Sequence, residues 1–325
     1  MGRLSSIARH APRLGPLLEA RDELGERNER LVGENRALAE HLEAAQQALG
    51  RCGSWPPGHF YSPHPDLDLI EREQDLLFGD RAETPAGVDI AEEHQLELLG
   101  QLAPLSRDQP FGDQPDGRHR YHYANDYFAH GDGLVYHCLL RHVRPSRVVE
   151  VGIGYSSALL LDTNDEFLDA SCTPTFIDPN PERMLGLLRS DEQALHLIAE
   201  PVQKAPPEVF SSLGAGDMLF IDSSHVTKTG NDVNHLYFEV LPSLASGVLV
   251  HVHDIFWPFE YPRQWVLGGR AWNEAYLLHA FLIGNHNVEV VWFNDYLRHR
   301  HRRRVSDAMA IWGHNPGGSL WFRVR

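Results

Sequence analysis

Two short runs hold most of the side chains able to do chemistry: Asp222-Ser223-Ser224-His225 and His251-Val252-His253-Asp254. Apolar residues lead into each of them, over 218–221 and 247–252, and both apolar stretches read as buried strands. Neighbouring strands would bring the two runs into one crevice at the carboxyl end of a sheet. Carboxylate oxygens suit Mg²⁺ or Mn²⁺, and added imidazole shifts the preference toward Mn, Fe or Zn. The same residues can equally be hydrogen-bonded strand ends that touch a substrate or cofactor, with no metal. Side chains alternate along a strand, so His251 and His253 share a face.

A third run, Arg147-Val148-Val149-Glu150-Val151-Gly152-Ile153-Gly154-Tyr155-Ser156-Ser157, reads as a strand entering a glycine turn. Its β-branched residues suit a central parallel strand, and Gly152 and Gly154 let the backbone pass close to a ligand. Ser156 and Ser157 are candidates to cap the following helix. Ser157 stands where a dinucleotide fingerprint needs its third glycine, which weakens an NAD or FAD reading and leaves room for a ligand without a pyrophosphate. A carboxylate inside a buried strand is costly unless paired, so Glu150 calls for a ligand bearing a cation or several donors. Asp178, after Thr175-Phe176-Ile177, is placed to accept both ribose hydroxyls of a nucleoside. The Asp178-Pro179 pair would equally cap the next helix. Asp178 lies further from Glu150 than the usual ~20 residues, which we read as an insertion over 163–171.

The elements that must position these groups follow from the apolar pattern. Strand candidates at 147–151, 175–177, 195–199, 218–221 and 247–252 alternate with helical or loop stretches, as a doubly wound sheet requires. Those at 288–293 and 319–324 are close enough to pair antiparallel. Between these last two, the basic run 298–304 reads as a solvated loop, or as a receptor for a phosphate, a carboxylate or an acidic partner. Trp257, Tyr261, Trp265 and Trp272 form a candidate wall for a ligand-binding crevice.

Upstream, Leu17, Leu24, Leu31 and Leu38 recur every seventh residue. With these leucines at d, the a positions are Leu14, Arg21, Asn28, Asn35, Leu42 and Leu49, which fits either a two-stranded coil or a solvated helix. A linker with Trp55, Phe60 and Tyr61 follows, then a two-piece helical cap over 67–102. Tyr121, Tyr123, Asn125, Tyr127 and Phe128 serve either as a lid or as packing. The expected division is 1–50 N-terminal helix, 51–142 linker and cap, and 143–325 ligand-binding domain.

At 325 residues and 42% hydrophobic content the chain can bury a sizeable core. A formal charge of -16 argues against a general nucleic-acid binder. Cys52, Cys138 and Cys172 are scattered and have no metal spacing. With no apolar run of membrane-span length and no signal-peptide core, the expected compartment is the cytoplasm, with no membrane partner.

Taken together, Glu150-Val151-Gly152-Ile153-Gly154-Tyr155-Ser156-Ser157, Phe176-Ile177-Asp178-Pro179, Phe220-Ile221-Asp222-Ser223-Ser224-His225 and the run from Gly247 through His253-Asp254-Ile255 resemble the class I S-adenosylmethionine-dependent methyltransferases. The nearest subgroup is a bacterial one with an Ile-Asp-x-x-His motif, similar in turn to metal-dependent sugar and natural-product O-methyltransferases. The resemblance runs from about residue 120 to the C-terminus. It implies an α/β fold: a Rossmann-like, doubly wound seven-stranded sheet whose last strand is antiparallel, preceded by the cap and the N-terminal helix. It further implies that Glu150, Gly152, Gly154, Ser156 and Ser157 cradle the methionine part of S-adenosylmethionine, that Asp178 binds ribose, and that Val202 or Gln203 lies near adenine. Asp222 would contact the cofactor and, with His253 and Asp254, hold a divalent metal (Mg, Mn or Fe). His253 stands where metal-dependent relatives carry an acid, so the resemblance leaves another ion, or none, open.

The implied reaction is O-methylation of a small hydroxylated acceptor, a sugar or specialised metabolite, with His225, His253 and Asp254 as catalytic candidates. Imidazole titrates near neutrality and suits a general base. Two alternatives stand beside this one: metal-assisted chemistry other than methyl transfer, prompted by the His-rich strand end, and a non-catalytic nucleoside-binding scaffold. The N-terminal helix implies a homo-oligomer.

Overall fold

A computed structural model describes residues 15–51, 55–79, 85–189 and 195–325. The chain divides into two compact units, Met1–Asp68 and Leu69–Arg325. In the first, helix α1 (Gly15–Arg51) carries the leucine repeat, and Leu17, Leu24, Leu31 and Leu38 are all exposed. Leu14 and Cys52 lie outside the described residues. Trp55, Phe60 and Tyr61 do not anchor the linker by burial. They remain exposed, and Trp55 stacks on His59 at 4.3 Å.

A short helix at Leu67–Arg72 runs across the division, and in the second unit a further short helix, Gln74–Phe78, precedes α2 (Glu92–Ser106) and α3 (His130–Val143). Helix α2 buries Leu98, Leu99 and Leu102. The sheet and its connections follow: β1 (Arg147–Val151), α4 (Tyr155–Phe167), β2 (Thr173–Ile177), β3 (His196–Ile198), β4 (Met218–Ile221), β5 (Leu249–Val252), α5 (Glu274–Leu282), β6 (Val288–Phe293), α6 (Asn294–Ala308) and β7 (Leu320–Val324). The seven strands lie in the order β3-β2-β1-β4-β5-β7-β6. Strands β1 to β5 run parallel, while β7 is inserted antiparallel between β5 and β6. This is the Rossmann-like mixed sheet that the strand pattern and the resemblance led us to expect. Helices cover its faces, so β4 and β5 are buried throughout; β4 reads as an unbroken apolar run, and β5 is interrupted only by His251.

Of the stretch 163–171, residues 163–167 are helical, forming the end of α4. One local expectation is corrected. The basic run 298–304 is helical, not a loop: α6 buries Tyr296, Leu297 and Val305 on one side and breaks helical geometry only at His301 (φ -135°, ψ 23°). The anchor of α2 is Gln95, fully buried. Its side-chain amide donates to Ile90 O (2.7 Å), and its Oε1 accepts the Phe293 N–H at the end of β6 (2.8 Å).

Backbone pairing continues past the strand ends and sets the register of the ligand-facing rim. Gly152 N–H donates to Ile177 O (3.0 Å), Asp178 N–H to Ile198 O (3.2 Å), Asp222 N–H to Val151 O (2.8 Å) and His253 N–H to Ile221 O (2.9 Å). Four of the candidate residues therefore stand along one carboxyl edge.

Candidate active site

The glycine turn is built as the residue types demand. Gly152 has φ +78°, and a Cβ there would fall 1.8 Å from Asp222 O, so no other residue fits. Gly154 is extended, and its open side is filled by Arg183, whose Cδ would lie 3.2 Å from an added Cβ. The Arg183 guanidinium in turn sits 3.8 Å over the Tyr127 ring. The two serines lie in the first turn of α4, inside the helix. Ser157 Oγ accepts the Gly154 N–H (3.0 Å), and both hydroxyls donate to Glu150 Oε1, Ser156 at 2.5 Å and Ser157 at 2.9 Å. Half of the need for a partner is thus met within the chain, while the buried Glu150 Oε2 has no hydrogen-bond partner. Burial pushes the Glu150 carboxyl up to about 8, against the two serine bonds that favour its charge.

Asp178 does not cap the next helix, which starts at Glu182 with Pro181 before it and no side-chain cap bond. Its Oδ2 accepts the Ile153 N–H (3.1 Å) and its Oδ1 the Asn180 N–H (2.7 Å), which fixes the carboxylate beside the turn with lone pairs to spare. Gln203 lies in a short 3₁₀ turn after β3. Its amide donates to Gly230 O (2.8 Å), and its buried Oε1 has no partner.

On the other side of β1 a cavity of about 790 Å³ opens above β4 and β5. Asp222, His225, His253 and Asp254 line it, together with Asn125, Tyr127, Arg183, Trp265, Arg270 and Trp272. His225 Nε2 lies 3.4 Å from Asp222 Oδ1 and 3.7 Å from Asp254 Oδ2, and His253 Nε2 lies 3.6 Å from Asp254 Oδ1. His225 and Asp254 both adopt left-handed backbone, φ 60° and 55°, the kind of conformation that clusters at working sites.

The residue that sequence reasoning missed is Glu274. Fully buried at the start of α5, its Oε2 bonds His225 Nδ1 (2.9 Å) and accepts the Ser223 hydroxyl (2.7 Å). The backbone N–H groups of Asn273 and Glu274 both donate to His225 O, clipping the α5 end onto the loop after β4. A carboxylate on Nδ1 fixes the ring and leaves Nε2 facing Asp222, Asp254 and the cavity. Burial works against a charged His225, yet its bonds to Asp222 and Glu274 hold its pKa well above the ordinary imidazole value. His253 is also raised, because Asp254, Asp222 and Asp132 outweigh burial. Burial raises the Asp254 carboxyl. At Asp222 the charges of His253, His225 and Arg183 outweigh burial, and its carboxyl is lowered.

His251 does not belong to this group. It is fully buried within β5, stacked on Phe220 at 3.8 Å and bonded through Nε2 to Ser319 Oγ (2.8 Å). Burial first, and the His253 charge second, push it far below the imidazole range, so it stays neutral. The expected metal set is not supported: among the described residues, no group of three or more His, Cys, Asp or Glu side chains is placed to hold a metal ion, Asp222, His253 and Asp254 included. The aromatics divide between two jobs. Tyr121, Tyr123, Phe128, Trp257 and Tyr261 are buried packing, whereas Tyr127, Trp265 and Trp272 face the cavity. Among the described residues no helix is long and apolar enough to cross a membrane.

Comparison with known proteins adds the following. Residues 149–255 match the family described as "Methyltransferase domain". An uncharacterized protein of Archaeoglobus fulgidus is 32% identical over 179 residues, covering 53% of this chain and 78% of that protein. Among solved structures, a Podospora anserina methyltransferase bound to SAH aligns over 84% of this chain and 99% of its own (12% identity, TM-score 0.39). A Streptomyces achromogenes O-methyltransferase of tomaymycin synthesis, in complex with SAM, aligns over 78% and 97% (15% identity, TM-score 0.34).

Proposed function

We propose, starting from a chain that belongs to one family with the archaeal protein and whose sheet carries the methyltransferase domain of an enzyme of that kind, that it transfers a methyl group from S-adenosylmethionine to a hydroxyl of a small acceptor. The observation that carries this reading is His225: its Nδ1 is held by a buried carboxylate and its Nε2 faces a cavity beside the glycine turn.

The residues fit the cofactor on their own chemistry. The partnerless Glu150 Oε2 suits an ammonium, the Arg183 guanidinium over Gly154 a carboxylate, Asp178 a ribose diol, and the partnerless Gln203 Oε1 an amino donor such as that of adenine. When bound, S-adenosylmethionine supplies an electrophilic methyl on a sulfonium. The protein's task is then alignment of the acceptor and removal of its proton. An ammonium at Glu150 favours the carboxylate, so a Glu150 that is protonated near neutrality gives up its proton as the cofactor binds.

His225 Nε2 takes the acceptor hydroxyl proton once it has lost its own, and Glu274 keeps the ring aimed and stabilises the imidazolium that forms. Asp254 and His253 line the same wall and orient the hydroxyl.

Two measurements test this reading: calorimetry of the full chain with S-adenosylmethionine, and transfer of labelled methyl to a small-molecule extract. Absence of binding in the first sinks the cofactor assignment. We read the N-terminal helix α1 (Gly15–Arg51) as one that pairs with a second copy along its leucine seam, and 143–325 as the catalytic domain. Sedimentation of the full chain as a monomer would refute the pairing.

A further inference from the structure

We infer that the acceptor is an anion, a small molecule whose carboxylate or phosphate is received by Arg270 while its hydroxyl lies at His225; this rests on the methyl-transfer reading above. Arg270 lines the cavity with its guanidinium carbon 4.0 Å from the Trp265 ring centre and 4.9 Å from that of Trp272. The two indoles meet edge to face at 5.4 Å. Among the described residues no carboxylate pairs with Arg270, in contrast to Arg120 and Arg141, which are bonded to Asp162 and Asp108. Ring faces steady a guanidinium without occupying its N–H donors. The outcome is a fixed, planar donor set at the cavity wall with no anion of its own, the form of arginine suited to a bidentate oxyanion.

The rest of the cavity sets the direction. Trp272 contacts Arg270 on one side and the His225 ring on the other (4.4 Å), so cation and base are one indole apart. The His225 end is crowded by Asp222 and Asp254, which repel a second negative group. An acceptor with a hydroxyl at one end and an anionic group at the other is therefore oriented by charge, acid toward Arg270 and hydroxyl toward His225. Arg183 lines the same cavity, but it lies against Gly154 of the glycine turn and over the Tyr127 ring, and its charge acts on Asp222, which leaves Arg270 as the cation beside the two indoles. The volume of about 790 Å³ must also admit the reacting end of the cofactor, which keeps the acceptor small.

The test incubates the full chain with methyl-labelled S-adenosylmethionine and a small-molecule extract of the source cells, then separates labelled products on an anion exchanger with and without phosphatase treatment. A labelled product retained by the exchanger is expected, and its sensitivity to phosphatase tells phosphate from carboxylate. With that purified acceptor, Arg270→Gln should raise KM about tenfold or more with kcat nearly unchanged, and Arg270→Lys should recover part of the loss. A labelled product that is neutral or cationic overturns the inference and leaves methyl transfer standing, as does an unchanged KM in Arg270→Gln. No labelled product from any fraction overturns the methyl-transfer reading, and the inference falls with it.

Discussion

His251 and His253 lie two residues apart on one face of β5, yet the protein treats them in opposite ways. His251, paired in register with Phe220 and Trp321 in the middle of the sheet, is held neutral. His253, at the rim, gains charge from the carboxylates around it, and His225 across the crevice gains more. Residue type alone therefore says little about chemistry. What separates the neutral imidazole from the charged ones is the carboxylates: His225 and His253 contact aromatic rings too, but they also have acids beside them.

The largest expected effect breaks the working side. His225→Ala should lower kcat by roughly 10²- to 10⁴-fold, the range for loss of a general base, with cofactor affinity little changed. Calorimetry alongside single-turnover kinetics separates the two quantities, and a comparable loss of affinity would move His225 into the cofactor site.

Next comes Glu150→Gln, which should weaken cofactor binding about tenfold while making the unliganded protein more stable in alkaline solution. The sign follows from a folded carboxyl raised to about 8 from an ordinary 4.5: burial costs nothing while the group is protonated, and the cost grows as pH rises through that window. Urea titrations should give similar wild-type and variant stabilities at pH 4 and a variant advantage of the order of a few kcal/mol at pH 8.

Glu274→Gln sharpens the comparison by removing one of the groups that raises His225. The wild-type rate should climb with pH along a limb displaced above the ordinary imidazole value, as His225 loses its proton. In the variant that limb should move to lower pH and the plateau should fall about tenfold. An unmoved limb would show that another group takes the proton.

The smallest effect belongs to the packing side. His251→Phe should change stability by less than ~1.5 kcal/mol and leave kcat alone. It should also abolish a pH dependence: a buried imidazole held below its ordinary value loses stability as pH falls through 6.5, because only the unfolded chain takes up the proton.

Most of the sheet was legible because buried parallel strands are short apolar runs that end in polar residues. Thus 218–221 and 288–293 match β4 and β6 at both ends. Helix α6 was not legible, since Arg and His carry no apolar period and its few buried residues stand before and after the run. At the site, Glu150, Gly152, Asp178, Asp222, His225, His253 and Asp254 could be picked out because each follows or lies within a recognisable strand. Glu274 could not. It bonds a histidine 49 residues earlier, and only the folding back of the connection after β5 brings them together. Residue type did not separate His251 from His253 either; the resemblance singled out His253, and the partners that set the two apart come from β4, β7, α3 and the loops after β4 and β5.

The left-handed backbone at Asp254 carries a consequence for anyone engineering this protein. An aspartate in that conformation, with its acid group enclosed, costs folding energy, a cost that the proposed reaction would offset. Asparagine tolerates the same twist and brings no ionisable group, so an Asp254→Asn protein should melt higher than its parent while working more slowly. Thermal robustness and speed would then be traded at a single position, and a crystallographer seeking a sturdy, slow form in which to trap an acceptor would begin there.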